Sequence, residues 1–222
     1  MTRVPNKTKH RTSLSLSQAF RQISSLTAVS RIIGFVRDIV FASFLGAGPA
    51  ADAFLVALKL PNMFRRLTAE GALTNAFLPS FVKLRTAEGR EAAIKLAAEA
   101  QIMLILVLFG IVILAEIYMP QVLLLLAPGF SATPDRLAAA VDLGRVTMPY
   151  LPMISVVALW VAIANAHEQF MAGAAAPILA NLCFIAGAIS IPFFASDLGV
   201  FRALPIAIGL LVAGMLQLLF LF

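Results

Sequence analysis

The chain has 222 residues, 61% of them hydrophobic and only 13% charged, with a formal net charge of +6. Soluble domains carry about 45–50% apolar and about 25% charged residues, so this composition excludes an ordinary soluble enzyme. It points to an all-α, polytopic membrane protein, because the apolar residues fall in blocks of roughly 20 or more, the length a hydrocarbon core demands of a helix.

Six blocks follow in order: 23–45, 52–84, 94–118, 137–166, 171–194 and 203–222. Turn chemistry separates several of them, with LGAGPAA after the first, APGFSATPDR after the third and ASDLGVFR after the fifth. The polar residues 1–22 form an N-terminal tail. Arg3, Lys7, Lys9, Arg11 and Arg21 lie there, and Lys83, Arg85, Arg90 and Lys95 follow the second block, whereas the opposite side has only Arg136 and Arg202. The positive-inside rule then places both chain ends in the cytoplasm. Those nine basic residues also account for the net charge through topology and anionic headgroups, and without interleaved stacking aromatics the pattern excludes nucleic acid as a partner. The stretch KLRTAEGREAAIK reads as an amphipathic segment on the membrane surface. Phe222 falls inside an apolar run, which points to a segment of a longer polypeptide.

Charge within the first two blocks is the anomaly. Arg31 lies about 12 Å inside its span, and Arg37 about as far from the other end, at 1.5 Å per residue. An arginine at that depth costs of order 2.5–3.5 kcal/mol, so it faces water or a partner. Arg31 and Asp38, seven apart, are nearly eclipsed, and Arg37 points about 120° away, so pairing within the helix does not neutralise both arginines. Two readings stay open: carboxylates on neighbouring helices that lock the bundle, or a wet cavity. Gly34 between the arginines allows close approach of a helix or a ligand.

In the second block Asp52, Lys59 and Arg66 recur every seven residues with Asn62 and Glu70 near the same stripe, giving one polar face. Arg66 and Glu70 have the spacing of an i, i+4 pair, and Arg65 has no such partner. Pro61 and Gly71 weaken the helix there. Thr133 is a candidate N-cap before Pro134, and Asp142 and Arg145 are i, i+3 neighbours, with Arg145 alternatively facing the cavity. Pro149 and Pro152 distort the fourth block. The fifth, with Pro177, Asn181 and Pro192, and the sixth, with Gln217, read as supporting wall. Cys183 reads as a packing residue, neither His10 nor His167 has metal-ligand spacing, and GAG at 46–48 lacks the context of a phosphate loop. No metal or cofactor is implied.

SRIIGFVRD, GAGPAADAFLVALKLPN and RRLTAEGALTNAFLPSF, with the later APGF, MPYLPMIS and APILANL, resemble in order and spacing the N-terminal half of the MurJ (MviN) family of lipid II flippases. The resemblance implies a MOP-superfamily, MATE-like exporter fold of two six-helix lobes around a cavity, followed by two helices that form a lipid groove. Residues 23–222 correspond to the first lobe alone, with the C-terminal lobe a missing partner. It also implies a multi-pass protein of the bacterial inner membrane that carries the peptidoglycan precursor lipid II to the periplasmic leaflet by alternating access. The family's cavity arginines fall on Arg31, Arg37 and Arg65, its functional aspartate on Asp52, and Ser30, Lys59 and Glu70 match family positions.

The expected substrate site is therefore Arg31, Arg37, Arg65, Ser30, Lys59 and Asn62, with Asp52, Asp38, Arg66 and Glu70 for gating or charge balance, Lys59 being the candidate to neutralise Asp52. Guanidinium forks suit the oxygens of the lipid II diphosphate. Competing readings are a MOP-fold exporter of drugs or of another polyprenyl-linked saccharide, a non-transporting membrane scaffold, and an intramembrane enzyme. Cationic drugs conflict with a basic cavity, and no Ser-Lys, Asp-Asp, His-Asp or HExxH constellation stands at membrane depth.

Overall fold

A computed structural model describes residues 16–66, 76–167, 169–194 and 197–222. It is all helical among these residues. α1 (Leu16–Leu45), α2 (Pro49–Arg65), α3 (Leu78–Glu88), α4 (Arg90–Ile117), α5 (Met119–Leu126), α6 (Pro134–Thr147), α7 (Tyr150–Ala166), α8 (Phe170–Ile189), the single turn α9 (Ile191–Phe194) and α10 (Leu204–Leu221) follow in order, with 3₁₀ turns at Pro128–Ala132 and Gly199–Ala203.

Local chemistry sets the boundaries. α1 stops where Gly46 turns to φ 72°, and α2 restarts with Pro49 in its first turn and Asp52 near its positive dipole end. A second positive-φ glycine, Gly89, separates α3 from α4. The stretch KLRTAEGREAAIK is thus a corner between two helices rather than one amphipathic segment, because the left-handed backbone at Gly89 ends a helix. Pro149 has no N–H to continue α6, and the chain passes through a turn at 148–149 before α7 resumes the same apolar run. Thr133 does occupy the N-cap position of α6, but its hydroxyl makes no capping bond and is buried without a partner.

Among the described residues, three stretches are long and apolar enough to cross a membrane: Arg90–Ile117, Pro134–Ala166 and Gly199–Leu221, with a shorter apolar helix at Gly173–Ile189. α1 spans 30 residues but carries Arg21, Arg31, Arg37 and Asp38, and α2 has 17 residues. α4 shows why the surroundings are lipid. Its buried stripe is Ala93, Leu108, Val112 and Ala115, while Met103, Leu106, Phe109 and Leu114 stand exposed on the other side. Such a continuous apolar surface is stable where the solvent is hydrocarbon.

Packing centres on α2, α6, α7, α8 and α10. α2 lies on α6, α8 joins α1 to α10, and α10 also meets α7. Phe54, Leu143, Met148, Leu151 and Ile206 are among the fully buried side chains. Phe41, Phe54 and Phe184 form a triangle with centroids 5.7–5.9 Å apart, fixing α1, α2 and α8 to one another. Two amide bonds add register: Trp160 Nε1 donates to Gln101 Oε1 at 2.7 Å between α7 and α4, and Gln217 Nε2 donates to the Ala176 carbonyl at 2.7 Å between α10 and α8.

α8 and α10 approach so closely that backbone touches backbone. A Cβ at Gly187 would stand 2.7 Å from the Pro205 carbonyl oxygen, and one at Gly209 would stand 2.7 Å from that of Cys183. Backbone cannot rotate aside as a side chain does, and overpacking of this kind costs about 1–3 kcal/mol. Gly187→Ala and Gly209→Ala are expected to lower the thermal midpoint of the purified protein, whereas Gly110→Ala, whose Cβ meets nothing within 4 Å, leaves it unchanged or raises it. Equal midpoints for all three would contradict this packing.

Candidate functional site: a basic cavity between α1, α2, α7, α8 and α10

α2 divides into two faces. Ala53, Phe54, Val56, Ala57, Leu60 and Pro61 are buried, while Asp52, Lys59, Asn62 and Arg66 are exposed along the other side. The polar stripe expected from the seven-residue spacing is present as far as Arg66; Glu70 and Gly71 lie outside the described residues. Pro61 sits inside the helix on the buried face, which carries Asn62 and Arg65 to the rim of a cavity of about 480 Å³.

That cavity brings Arg37, Asn62 and Arg65 together with Tyr150, Asn181 and Gln217 between apolar walls. Among the described residues, no Asp or Glu lines it. The other expected site residues stand elsewhere: Arg31 and Lys59 are exposed with no ion pair among the described residues, and Ser30 is half-buried on α1.

Arg37 is held from several sides. Its Nε and Nη2 donate to Asp38 Oδ1 at 3.0 and 2.7 Å, and its Nη1 donates to Asn181 Oδ1 at 2.9 Å. The guanidinium carbon also lies 5.5 Å from the centre of the Phe184 ring, within cation–π range. Asp38 therefore serves its chain neighbour Arg37 rather than Arg31. Spacing on a helical wheel places Cβ atoms, and a long arginine side chain can still fold back to the adjacent carboxylate. The pair is not sealed: the Arg37 side chain is 36% exposed and that of Asp38 66%. The Asn181 amide also stands beside Gly34, 3.6 Å from where a Cβ there would lie, so the glycine admits the α8 amide against α1 in ordinary contact.

Asp52 is likewise paired differently from expectation. Arg136, in the first turn of α6, reaches its Oδ2 at 3.3 Å, so Lys59 does not neutralise it. Seven residues on an α-helix span about 10 Å, beyond a lysine's direct reach to the carboxylate, while α6 packs alongside α2 and presents its arginine at the same end. Arg145 does not line the cavity. It stands 4.0 Å from both Asp142 and Glu116, sharing its charge between α6 and α4.

Tyr150, Asn181 and Gln217 are the site residues that the sequence reading passed over, and α8 and α10 are more than supporting wall. A signal existed: an amide at membrane depth incurs a desolvation cost as a charge does, on a smaller scale, and Asn181 and Gln217 interrupt otherwise apolar spans.

Comparison with known proteins now decides the family. The profile described as "Lipid II flippase MurJ" matches residues 41–222. The chain belongs to the MurJ lipid II flippase family. It is 36% identical over 200 residues to the probable lipid II flippase MurJ of Rickettsia prowazekii, covering 90% of this chain and 38% of that protein. Against the Burkholderia cenocepacia lipid II flippase MurJ it is 32% identical over 206 residues, covering 93% and 39%. A solved structure titled "Lipid II flippase MurJ, inward closed conformation" superposes with TM-score 0.73 at 25% identity, covering 90% of this chain and 41% of the other. The chain thus spans about two fifths of the length of the curated MurJ relatives it matches. Family membership and the apolar helices together make it a multi-pass bacterial membrane protein of a transporter family.

Half-exposed ion pairs contribute about 0–1 kcal/mol. A double-mutant cycle over Asp52→Asn and Arg136→Gln in the full-length protein is therefore expected to give a stability coupling within that range. A coupling of several kcal/mol would contradict the half-exposed placement of the pair.

Proposed function

We propose that this chain is the N-terminal, six-span lobe of an inner-membrane transporter that moves lipid II from the cytoplasmic to the periplasmic leaflet, with its N-terminus in the cytoplasm. The observation that carries this reading is the cavity that brings together two guanidinium groups, Arg37 and Arg65, with no carboxylate in its lining among the described residues. A diphosphate is the part of lipid II that such a site recognises, because planar guanidinium forks offer paired, charge-assisted hydrogen bonds to phosphate oxygens.

Asp38 and Asn181 hold Arg37 in a defined orientation while the cavity is empty, which reduces the ordering cost of binding. A diphosphate that arrives at Nη1 and Nη2 takes the place of these partners. The exchange is inexpensive, since the Arg37–Asp38 pair is part-exposed. Arg31 and Ser30, on the same helix, and Lys59, on the polar stripe of α2, extend the basic surface toward the space a second lobe would occupy. The Asp52–Arg136 pair at one end of α2 and Arg66 at the other, with Asp38 and Glu70, are the groups assigned to gating and charge balance.

No covalent step is required, so the protein acts as a carrier and not as an enzyme. Rocking of this lobe against a second one would alternate access to the site. An inside-negative potential favours outward movement of net negative charge by about 2.3 kcal/mol per charge per 100 mV.

Arg37→Ala in the full-length flippase is expected to abolish complementation of a MurJ-depleted strain while membrane abundance is retained. Loss of the protein from the membrane would instead mark Arg37 as a structural pin. Arg37→Lys is expected to complement poorly, because an ammonium lacks the fork; normal complementation would reduce the requirement to charge alone.

A further inference from the structure

The basic corner between α3 and α4 has no part in the substrate cavity, yet it opens on a pocket of its own. That pocket, of about 360 Å³, lies between α3, α4 and α7 and shares no lining residue with the larger cavity. Its two ends differ. Trp160 donates to Gln101 at one end; from there α4 runs back to Arg90 while α7 runs on to His167, so both gather with Arg85 of α3 at the other.

The polar end is basic and largely unsatisfied. Between residues 83 and 95, Lys83, Arg85, Arg90 and Lys95 outnumber Glu88 and Glu91, and none of the four cations makes an ion pair among the described residues. Arg85 Nη1 donates to the Ala166 carbonyl at the end of α7, a long bond of 3.4 Å, and Arg90 has no hydrogen-bond partner among the described residues. His167 Nδ1 lies 2.8 Å from the Ile163 carbonyl. Because a carbonyl only accepts, the ring hydrogen sits on Nδ1, and Nε2 is left for a ligand.

The other end is apolar. Ala93 and Ala97, one turn apart on α4, keep the space beside Ile163 open, and the indole N–H of Trp160 is already bonded to Gln101 Oε1. Ile94 also lines the pocket and is 52% exposed, which joins it to the apolar, lipid-facing surface of α4. Arg90 and Gln101 stand about 16 Å apart along the helix, close to the depth of one hydrocarbon leaflet, about 15 Å.

We propose that this pocket binds an anionic phospholipid, whose phosphodiester meets Arg85, Arg90 and His167 while one acyl chain lies along Ala93 and Ala97 toward Trp160. The site is independent of the diphosphate reading. Basic pockets between membrane helices select anionic headgroups, and guanidinium groups suit phosphate oxygens. A soluble phosphate would leave the apolar end uncovered, and a zwitterionic lipid brings a cationic group to an already basic mouth. Bound there, the lipid ties together the ends of α3, α4 and α7.

The test titrates the full-length flippase in detergent with phosphatidylglycerol, with phosphatidylcholine of the same acyl chains and with glycerol 3-phosphate, and reads occupancy by native mass spectrometry. Phosphatidylglycerol is expected to bind roughly tenfold or more tighter than phosphatidylcholine, and glycerol 3-phosphate not to compete with it. Arg85→Gln combined with Arg90→Gln is expected to bring phosphatidylglycerol to the phosphatidylcholine level. Ala98→Phe, at an exposed position in the pocket wall where bulk spares the core, is expected to weaken both lipids several-fold. Each variant is expected to hold lipid II as the parent does.

Equal affinities for the two lipids would overturn the site. Phosphatidylglycerol binding that survives the double substitution would overturn it too, and its loss with Arg37→Ala instead would place the lipid in the substrate cavity. Full competition by glycerol 3-phosphate would reduce the pocket to a bare anion site, and a parallel loss of lipid II from the double variant would put these arginines in the substrate's path; either result contradicts a separate phospholipid site.

Discussion

A guanidinium set among apolar helices has to be solvated by something, and the lobe is built around how Arg37 meets that demand. Asp38 supplies the countercharge, Asn181 an amide oxygen from α8, and Phe184 a ring face. Because α1 packs chiefly on α8, this cluster is a large part of what joins the outermost helix to the rest. The triangle of Phe41, Phe54 and Phe184 stands beside it and orients the helices so that the arginine points to the cavity and not to lipid. Apolar residues in place of both Arg37 and Asp38 would avoid the desolvation cost, which is why an ion pair among apolar helices is weak evidence for a purely stabilising role.

Acidic and basic groups are distributed unevenly. Asp52 is bound to Arg136, and Glu116 and Asp142 share Arg145, so these carboxylates are matched outside the cavity. The cavity itself is lined by two arginines and neutral amides, with no carboxylate in its lining among the described residues. Low-dielectric walls strengthen the interactions of the guanidinium groups, and an anion able to replace Asp38 on Arg37 is the species that gains from entering.

Much of this was legible from residue order. The all-helical membrane architecture followed from apolar block length, the polar stripe of α2 from the seven-residue recurrence of Asp52, Lys59 and Arg66, and the N-cap position of Thr133 from the following proline. What the sequence withheld were partners set by tertiary packing. Helical-wheel angles gave no reason to join Arg37 to its neighbour Asp38, and nothing in α2 announced that Arg136, 84 residues away, would reach Asp52. The amides on α8 and α10 were visible as interruptions of apolar runs, but which helix face turned inward became evident only once Gly187 and Gly209 fixed the contact between α8 and α10.

The central claim is that the guanidinium groups of this lobe are retained to grip a phosphorylated passenger. The most direct test is a structure of the full-length flippase with lipid II bound, resolved well enough to place the diphosphate. The account predicts phosphate oxygens within hydrogen-bonding distance of Arg37 and Arg65, with Asp38 displaced from Arg37. A diphosphate bound elsewhere, with Arg37 still held by Asp38 and Asn181 and closed off from the ligand, would contradict it.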